Sequence, residues 1–240
     1  QRLWFLDQLE PGSSSYNISV AVRLRGVLNI EVLEQTLSEV VRRHEVLRTH
    51  FIAVDGEPVQ VIDAAAPFRL EVLDLSALDE EAREAEMLRM VREEASLPFD
   101  LSRGPLLRVS LIRLQAEDHV AAVTMPHIVT DGWSMGIFIN EVATLYAAYV
   151  RGEESPLEEL PIQYADFAHW QRGWLQGEVL AAQLDYWRAE LADAPTVIDL
   201  PIDKPRPPVQ TYRGALHSVQ LSTELSSQLK DLSRQNGSTL

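Results

Sequence analysis

A mixed α+β fold is predicted for this 240-residue chain by three observations. Segments with the two-residue alternation of strands lie among segments with helical spacing. Two pairs of strand-like segments are joined by linkers short enough to close local hairpins, which argues against a regular doubly wound sheet. Hydrophobic residues make up 46% and charged residues 24%, the proportions of a chain that builds a core.

The elements follow in order. Residues 17–25 alternate, with Ile18, Val20, Val22 and Leu24 on one face, and read as a half-buried strand. Asn29 reads as a helix N-cap, and Leu33, Leu37, Val40, His44 and Leu47 form the apolar stripe that follows it. Residues 49–62 read as a hairpin turning at Asp55-Gly56, and 68–73 as a further strand. Residues 78–97 read as a charged helix with Leu88, Val91 and Ala95 inward, stopped by Pro98, its acidic run being a solvated face. Two apolar strands, 106–114 and 119–125, flank the polar linker 115–118. A helix over 133–150 carries the stripe Phe138, Val142, Leu145 and Tyr149, and an acidic loop spans 151–161. Helices at 163–175 and 178–192 are parted by Gly177. The five prolines between 194 and 209 favour extended chain, and a strand at 215–221 and a helix at 223–235 close the sequence.

Composition excludes several classes of function. With 36 acidic against 21 basic residues, a net charge of -15, the chain repels phosphate backbones and is a poor nucleic-acid binder. The absence of cysteine removes disulfides, thiol nucleophiles and thiolate metal sites, and fits a cytoplasmic protein. No apolar run reaches the roughly 18 residues of a membrane span, and the opening residues lack a signal-peptide form. A first residue of Gln1 rather than Met points to a fragment.

Chemistry concentrates in residues 125–136 (MPHIVTDGWSMG), between an apolar strand and an amphipathic helix. Such a junction holds a side chain rigidly yet leaves it accessible. Two readings compete. In one, His127 takes a proton during acyl transfer, since an imidazole titrates near 6.5; Asp131 fixes the loop through a buried ion pair and Gly132 allows close approach. In the other, residues 132–136 match the G-x-S-x-G nucleophile elbow and Ser134 attacks an ester or thioester, with Asp199 and His217 as unconstrained partners. The bland alternatives are a structural histidine and a first-turn serine. A metal site is not expected: no His-Glu-x-x-His or dense His/carboxylate cluster is present, and neither is a Walker loop or dinucleotide fingerprint.

Four separated segments in order resemble the condensation domain of nonribosomal peptide synthetases. They are residues 1–6 (QRLWFL), 43–51 (RHEVLRTHF), 125–134 (MPHIVTDGWS) and 164–170 (YADFAHW), with 201–207 (PIDKPRP) similar to the family's connecting segment. The resemblance covers the whole chain and implies a chloramphenicol-acetyltransferase-like fold of two αβ lobes around a tunnel. Residues 1–176 would form the first lobe, and 177–240 the connecting segment and the truncated start of the second. It also implies an acyltransferase that binds no cofactor of its own. Peptidyl carrier proteins would bring donor thioester and acceptor amine on phosphopantetheine arms, and an adenylation domain would lie in the same polypeptide. His127 occupies the motif's second His and is the catalytic candidate; Asp131 and Gly132 position the loop. Arg2, His44, Glu45, Arg48 and Ser134 are tunnel-lining or supporting candidates; His44, Glu45 and Arg48 read equally as a polar helix end, and His44, on an apolar stripe, reads as a satisfied core histidine rather than a ligand. Segment 43–51 looks more like domains taking an L-configured donor.

Two departures from the family pattern stand out. Pro126 replaces the motif's first His, and reduced activity is expected from it. The family's later motifs are missing, so the fragment is not expected to work alone, Asp131's basic partner is expected in the missing half, and apolar surface is expected to be exposed. A serine thioesterase using Ser134, a degenerate carrier-binding domain, and an epimerising or ester-forming relative remain the alternatives.

Overall fold

The computed structural model describes residues 2–205, 207–208, 214–215 and 217–240. The chain divides into two compact units, Gln1–Ala194 and Pro195–Leu240. Three parts of the sequence reading fall outside the described residues: Gln1 of the first motif, Arg206 and Val209 of the proline-rich stretch, and Leu216 of the last predicted strand.

The first unit begins with α1 (Arg2–Leu9), an exposed or half-buried helix, followed by β1 (Asn17–Arg25). Asn29 caps α2 (Ile30–Arg43), its side chain accepting from the Val32 N–H. A 3-10 turn at Glu45–Arg48 leads into the hairpin β2 (Thr49–Val54) and β3 (Glu57–Ile62). Asp55 (φ 52°) and Gly56 (φ 82°) form its two-residue turn; two consecutive left-handed residues match the right-handed strand twist, which is why Asp-Gly sits there. Then come β4 (Glu71–Asp74), α3 (Glu80–Ser96), β5 (Arg108–Gln115), β6 (Asp118–Pro126) and α4 (Gly132–Val150). Helices α5 (Tyr164–Trp174) and α6 (Gly177–Glu190) complete the unit.

The main sheet has the order β1-β6-β5-β4, antiparallel except for the parallel β4–β5 pair. Both faces of its centre are covered. Val109, Leu111, Val123 and Met125 pack with Leu33, Leu37 and Val40 of α2 and Phe138 and Leu145 of α4. Ile112, Leu114 and Val120 meet Met87 of α3 on the other face. Two-sided burial explains why β5 and β6 read as nearly continuous apolar runs while the edge strand β1 alternates.

Four element readings are corrected. The strand predicted at 68–73 starts only at Glu71, because side chains of α2 take the backbone donors before it: Ser38 Oγ accepts from the Phe68 N–H (2.8 Å) and Glu34 Oε1 from the Leu70 N–H (2.9 Å). Met87, with Met90 and Val91, forms the inner face of α3, and Leu88 is exposed. Residues 2–9, which carried no element in the reading, are helical. In the second unit, Ser222 caps α7 (Thr223–Gln235), but the described residues of 215–221 join no strand. A strand exists only through a ladder partner, and no described segment supplies one.

Candidate active site

Strand β6 ends at Pro126, and residues 127–129 turn over its tip before α4 begins. Two backbone bonds hold the turn: the His127 N–H donates to the Tyr16 carbonyl (2.7 Å) and the Val129 N–H to the Pro126 carbonyl (3.0 Å). The His127 residue is exposed, and among the described residues no hydrogen bond holds its ring. Backbone fixed and imidazole available is the arrangement a positioning or proton-handling group needs.

Pro126 fits without cost to the ladder. The His127–Tyr16 bond makes that pair the hydrogen-bonded one on the β1 side, so alternation turns the nitrogen of Pro126 toward β5. There the ladder has already stopped, at the pair Arg108–Thr124. The residue is buried at a strand end, where no donor is asked of it.

Asp131 forms no ion pair with the described residues. It is exposed and caps α4: its Oδ1 accepts from the Ser134 N–H (2.8 Å) and the Ser134 hydroxyl (2.6 Å). The Ser134 hydroxyl, then its amide, hold the carboxylate below the usual range against the cost of desolvation, and His127 nearby adds to this. Among the described residues no Lys or Arg pairs with it. Capping satisfies donors that the helix start leaves open, typically worth ~1 kcal/mol.

The same geometry gives Ser134 a structural task and lacks the features of a nucleophile elbow. Ser134 lies in the first turn of α4, its hydroxyl committed to Asp131, and its φ is not positive, unlike the strained turn of a nucleophile elbow. Gly132 opens α4, and a Cβ there would meet nothing within 4 Å. Space in front of the helix start is therefore open, and beside it Trp133 is 83% exposed, a side chain the sequence reading passed over.

The supporting candidates sit elsewhere. Arg2 is exposed on α1. His44, Glu45 and Arg48 do meet in one polar network, at the end of α2. His44 Nε2 lies 2.7 Å from Glu141 Oε2 on α4, and Arg48 pairs with Glu45 (3.3 Å) and with the Asp63 carbonyl. Gln163 ties α5 in, accepting from the Glu45 N–H (3.1 Å) and donating to the Arg43 carbonyl (2.8 Å). The centre of the network was missed: Arg43 (4% exposed) and Glu141 (8% exposed), 3.6 Å apart, with Arg43 also donating to the Glu158 carbonyl (2.8 Å). A signal existed for Glu141, which falls between Phe138 and Leu145 on the buried stripe of an apolar helix. No group of three or more potential metal ligands occurs among the described residues.

The family model described as the Condensation domain matches residues 1–240, and the chain belongs to that family. It is 52% identical over 240 residues to one of the linear gramicidin synthase proteins of Brevibacillus parabrevis, covering all of this chain and 3% of that protein. Among solved structures it resembles the X-domain in its complex with OxyB from teicoplanin biosynthesis, at TM-score 0.82 and 31% identity, covering all of this chain and 52% of that one. It also resembles the starter condensation domain of rhizomide synthetase RzmA, at TM-score 0.71 and 25% identity, over 81% of this chain and 47% of that one. The chain thus spans about half the length of these solved relatives and a small part of the gramicidin synthase protein.

Proposed function

We propose that the chain is the His127-bearing part of a domain that forms amide bonds in nonribosomal peptide synthesis. Residues 1–176 belong to its first lobe and 177–240 to the connecting segment and the start of its second. Donor acyl or peptidyl groups arrive as thioesters and acceptors as amines, each on the phosphopantetheine arm of a carrier protein. The carriers and an adenylation domain lie in the same cytoplasmic polypeptide. The acceptor nitrogen attacks the thioester carbonyl, the C–S bond breaks, and the departing thiolate takes up the proton lost by the amine. An α-amine titrates near 8, so part of it is already neutral and full deprotonation by a base is not required. His127 orients the amine and eases the positive charge that develops on nitrogen. Asp131 holds the loop by capping α4, and Gly132 leaves clearance for an arm. The observation that carries this reading is an exposed imidazole on a turn pinned by two backbone bonds.

The test is product formation from carrier-bound substrates by the intact synthetase module. His127→Ala should lower the rate about 100-fold or more. Ser134→Ala should leave amide formation in place, and no acyl-serine should accumulate in the parent protein. A trapped acyl-serine, or full activity in His127→Ala, would overturn the reading. A docking domain without catalysis is favoured by one observation, Pro126 in place of the motif's first histidine; it predicts carrier binding with no amide product.

A further inference from the structure

At one end of the sheet, β6 is flanked by two residues that open its neighbours. Asn17 opens β1 opposite Pro126, and Arg108 opens β5 opposite Thr124. Both reach to the same place, the C-terminal end of α3. The Asn17 side-chain amide donates to the Ala95 carbonyl (2.9 Å) and the Leu97 carbonyl (2.8 Å). Arg108 donates to the carbonyls of Glu94 (3.1 Å), Leu97 (2.7 Å) and Pro98 (3.1 Å) and to the Glu94 carboxylate (2.6 Å), with its guanidinium 3.8 Å over the Phe99 ring. Helix C-termini leave carbonyls without intrahelical partners. Here the strands that border the His127 strand supply those partners.

The two residues are not equivalent for the loop. The β5 side of the ladder stops at Thr124, so Arg108 fixes a point two residues short of Pro126. The β1 side continues to the tip, where the residue before Asn17 accepts the His127 N–H through its carbonyl. Pro126 has no N–H of its own to offer. The Tyr16–His127 bond is therefore the last inter-strand tie before the turn. Two side chains anchor its acceptor strand to α3: Arg23, far from the tip, pairs with Glu84 (2.8 Å), and Asn17 holds the end beside the turn.

We propose that Asn17 is a positioning residue for His127, setting the height at which the imidazole leaves the sheet; this rests on the amide-forming reading of the site. Asparagine suits the task because one nitrogen carries two donors. Aspartate has the same shape and neither donor, and would place negative charge against two carbonyls.

The experiment uses the intact module with carrier-bound substrates, comparing Asn17→Asp, Asn17→Ser and His127→Ala. Asn17→Asp should lower kcat about 10–100-fold with little change in KM for either carrier. Backbone hydrogen exchange should quicken in residues 94–99 and 124–131 of that variant, and stay unchanged in α2 and α4. Asn17→Ser, which keeps a shorter donor, should show the same pattern more weakly and serves if the aspartate variant does not fold. Unchanged exchange at 124–131, or exchange that quickens everywhere while kcat is preserved, overturns the proposal. His127→Ala separates the two ideas. If it keeps full activity, the amide-forming role of His127 falls and with it any catalytic consequence of Asn17. If it loses activity while Asn17→Asp keeps kcat, only the Asn17 assignment falls.

Discussion

Pro126 is tolerated because its nitrogen points where the β5 ladder has already ended, so the backbone loses nothing by the substitution. What the motif loses is an imidazole. Pro126→His should therefore raise kcat in the intact module by about fivefold, the worth of one hydrogen bond to the loop. Unchanged turnover and an unchanged Tm would mean that the position is neutral. His119 behaves differently. It is 3% exposed on β6, and burial pushes its imidazole below the usual range, helped by Arg113 and opposed by Asp118 and Asp74. A folded pKa below the unfolded one means that the unfolded chain binds the extra proton first. Stability should thus fall as pH drops below about 6.5, down to the folded pKa. Denaturant midpoints between pH 7.5 and 5.5 should show this slope, and His119→Leu should flatten it.

Among the elements, α4 carries the most consequence, since its start forms the site and its middle carries Glu141. The carboxylate of Glu141 sits with His44 and Arg43 in a nearly dry setting, fixing α4 against α2. Glu141→Leu leaves the Arg43 charge buried without its carboxylate, which should cost about 3 kcal/mol. For a chain of this size that is a fall of ~6–12 °C in Tm. Pairing it with Arg43→Met should restore part of the loss, because an apolar pair of similar volume removes the uncompensated charge. If Glu141→Leu leaves Tm unchanged, the network does not hold α4.

On the scale of the whole molecule, the notable surface lies on α5 and α6, neither of which buries a residue. Tyr164, Phe167, Trp170 and Trp174 run along α5 with ring centroids 5.5–6.0 Å apart, Trp170 and Trp174 stacked. Trp170, Trp174 and, on α6, Trp187 are about half exposed. Patches of this size on a single chain recruit other apolar surface. The isolated 240-residue polypeptide should bind an apolar dye such as ANS and self-associate as its concentration rises. Replacing Trp170 and Trp187 with Glu should weaken both, as read by fluorescence and sedimentation. Equal dye binding by the variant would locate the exposed surface elsewhere.

Most of the local structure of this protein is written in its sequence, because short-range physics decides it. Alternation defines β1, Asn29 and Ser222 their helix starts, Asp55-Gly56 a left-handed turn, and the strand–turn–helix setting of His127 follows from its neighbours. The rest depends on groups far apart in the chain. Where β4 begins is decided by Glu34 and Ser38 on α2. Which face of α3 is buried depends on where the sheet lies beneath it. The buried Arg43–Glu141 pair and the Asn17 clamp join residues 98 and about 80 positions apart, and no periodicity in the sequence records which distant donor meets which acceptor.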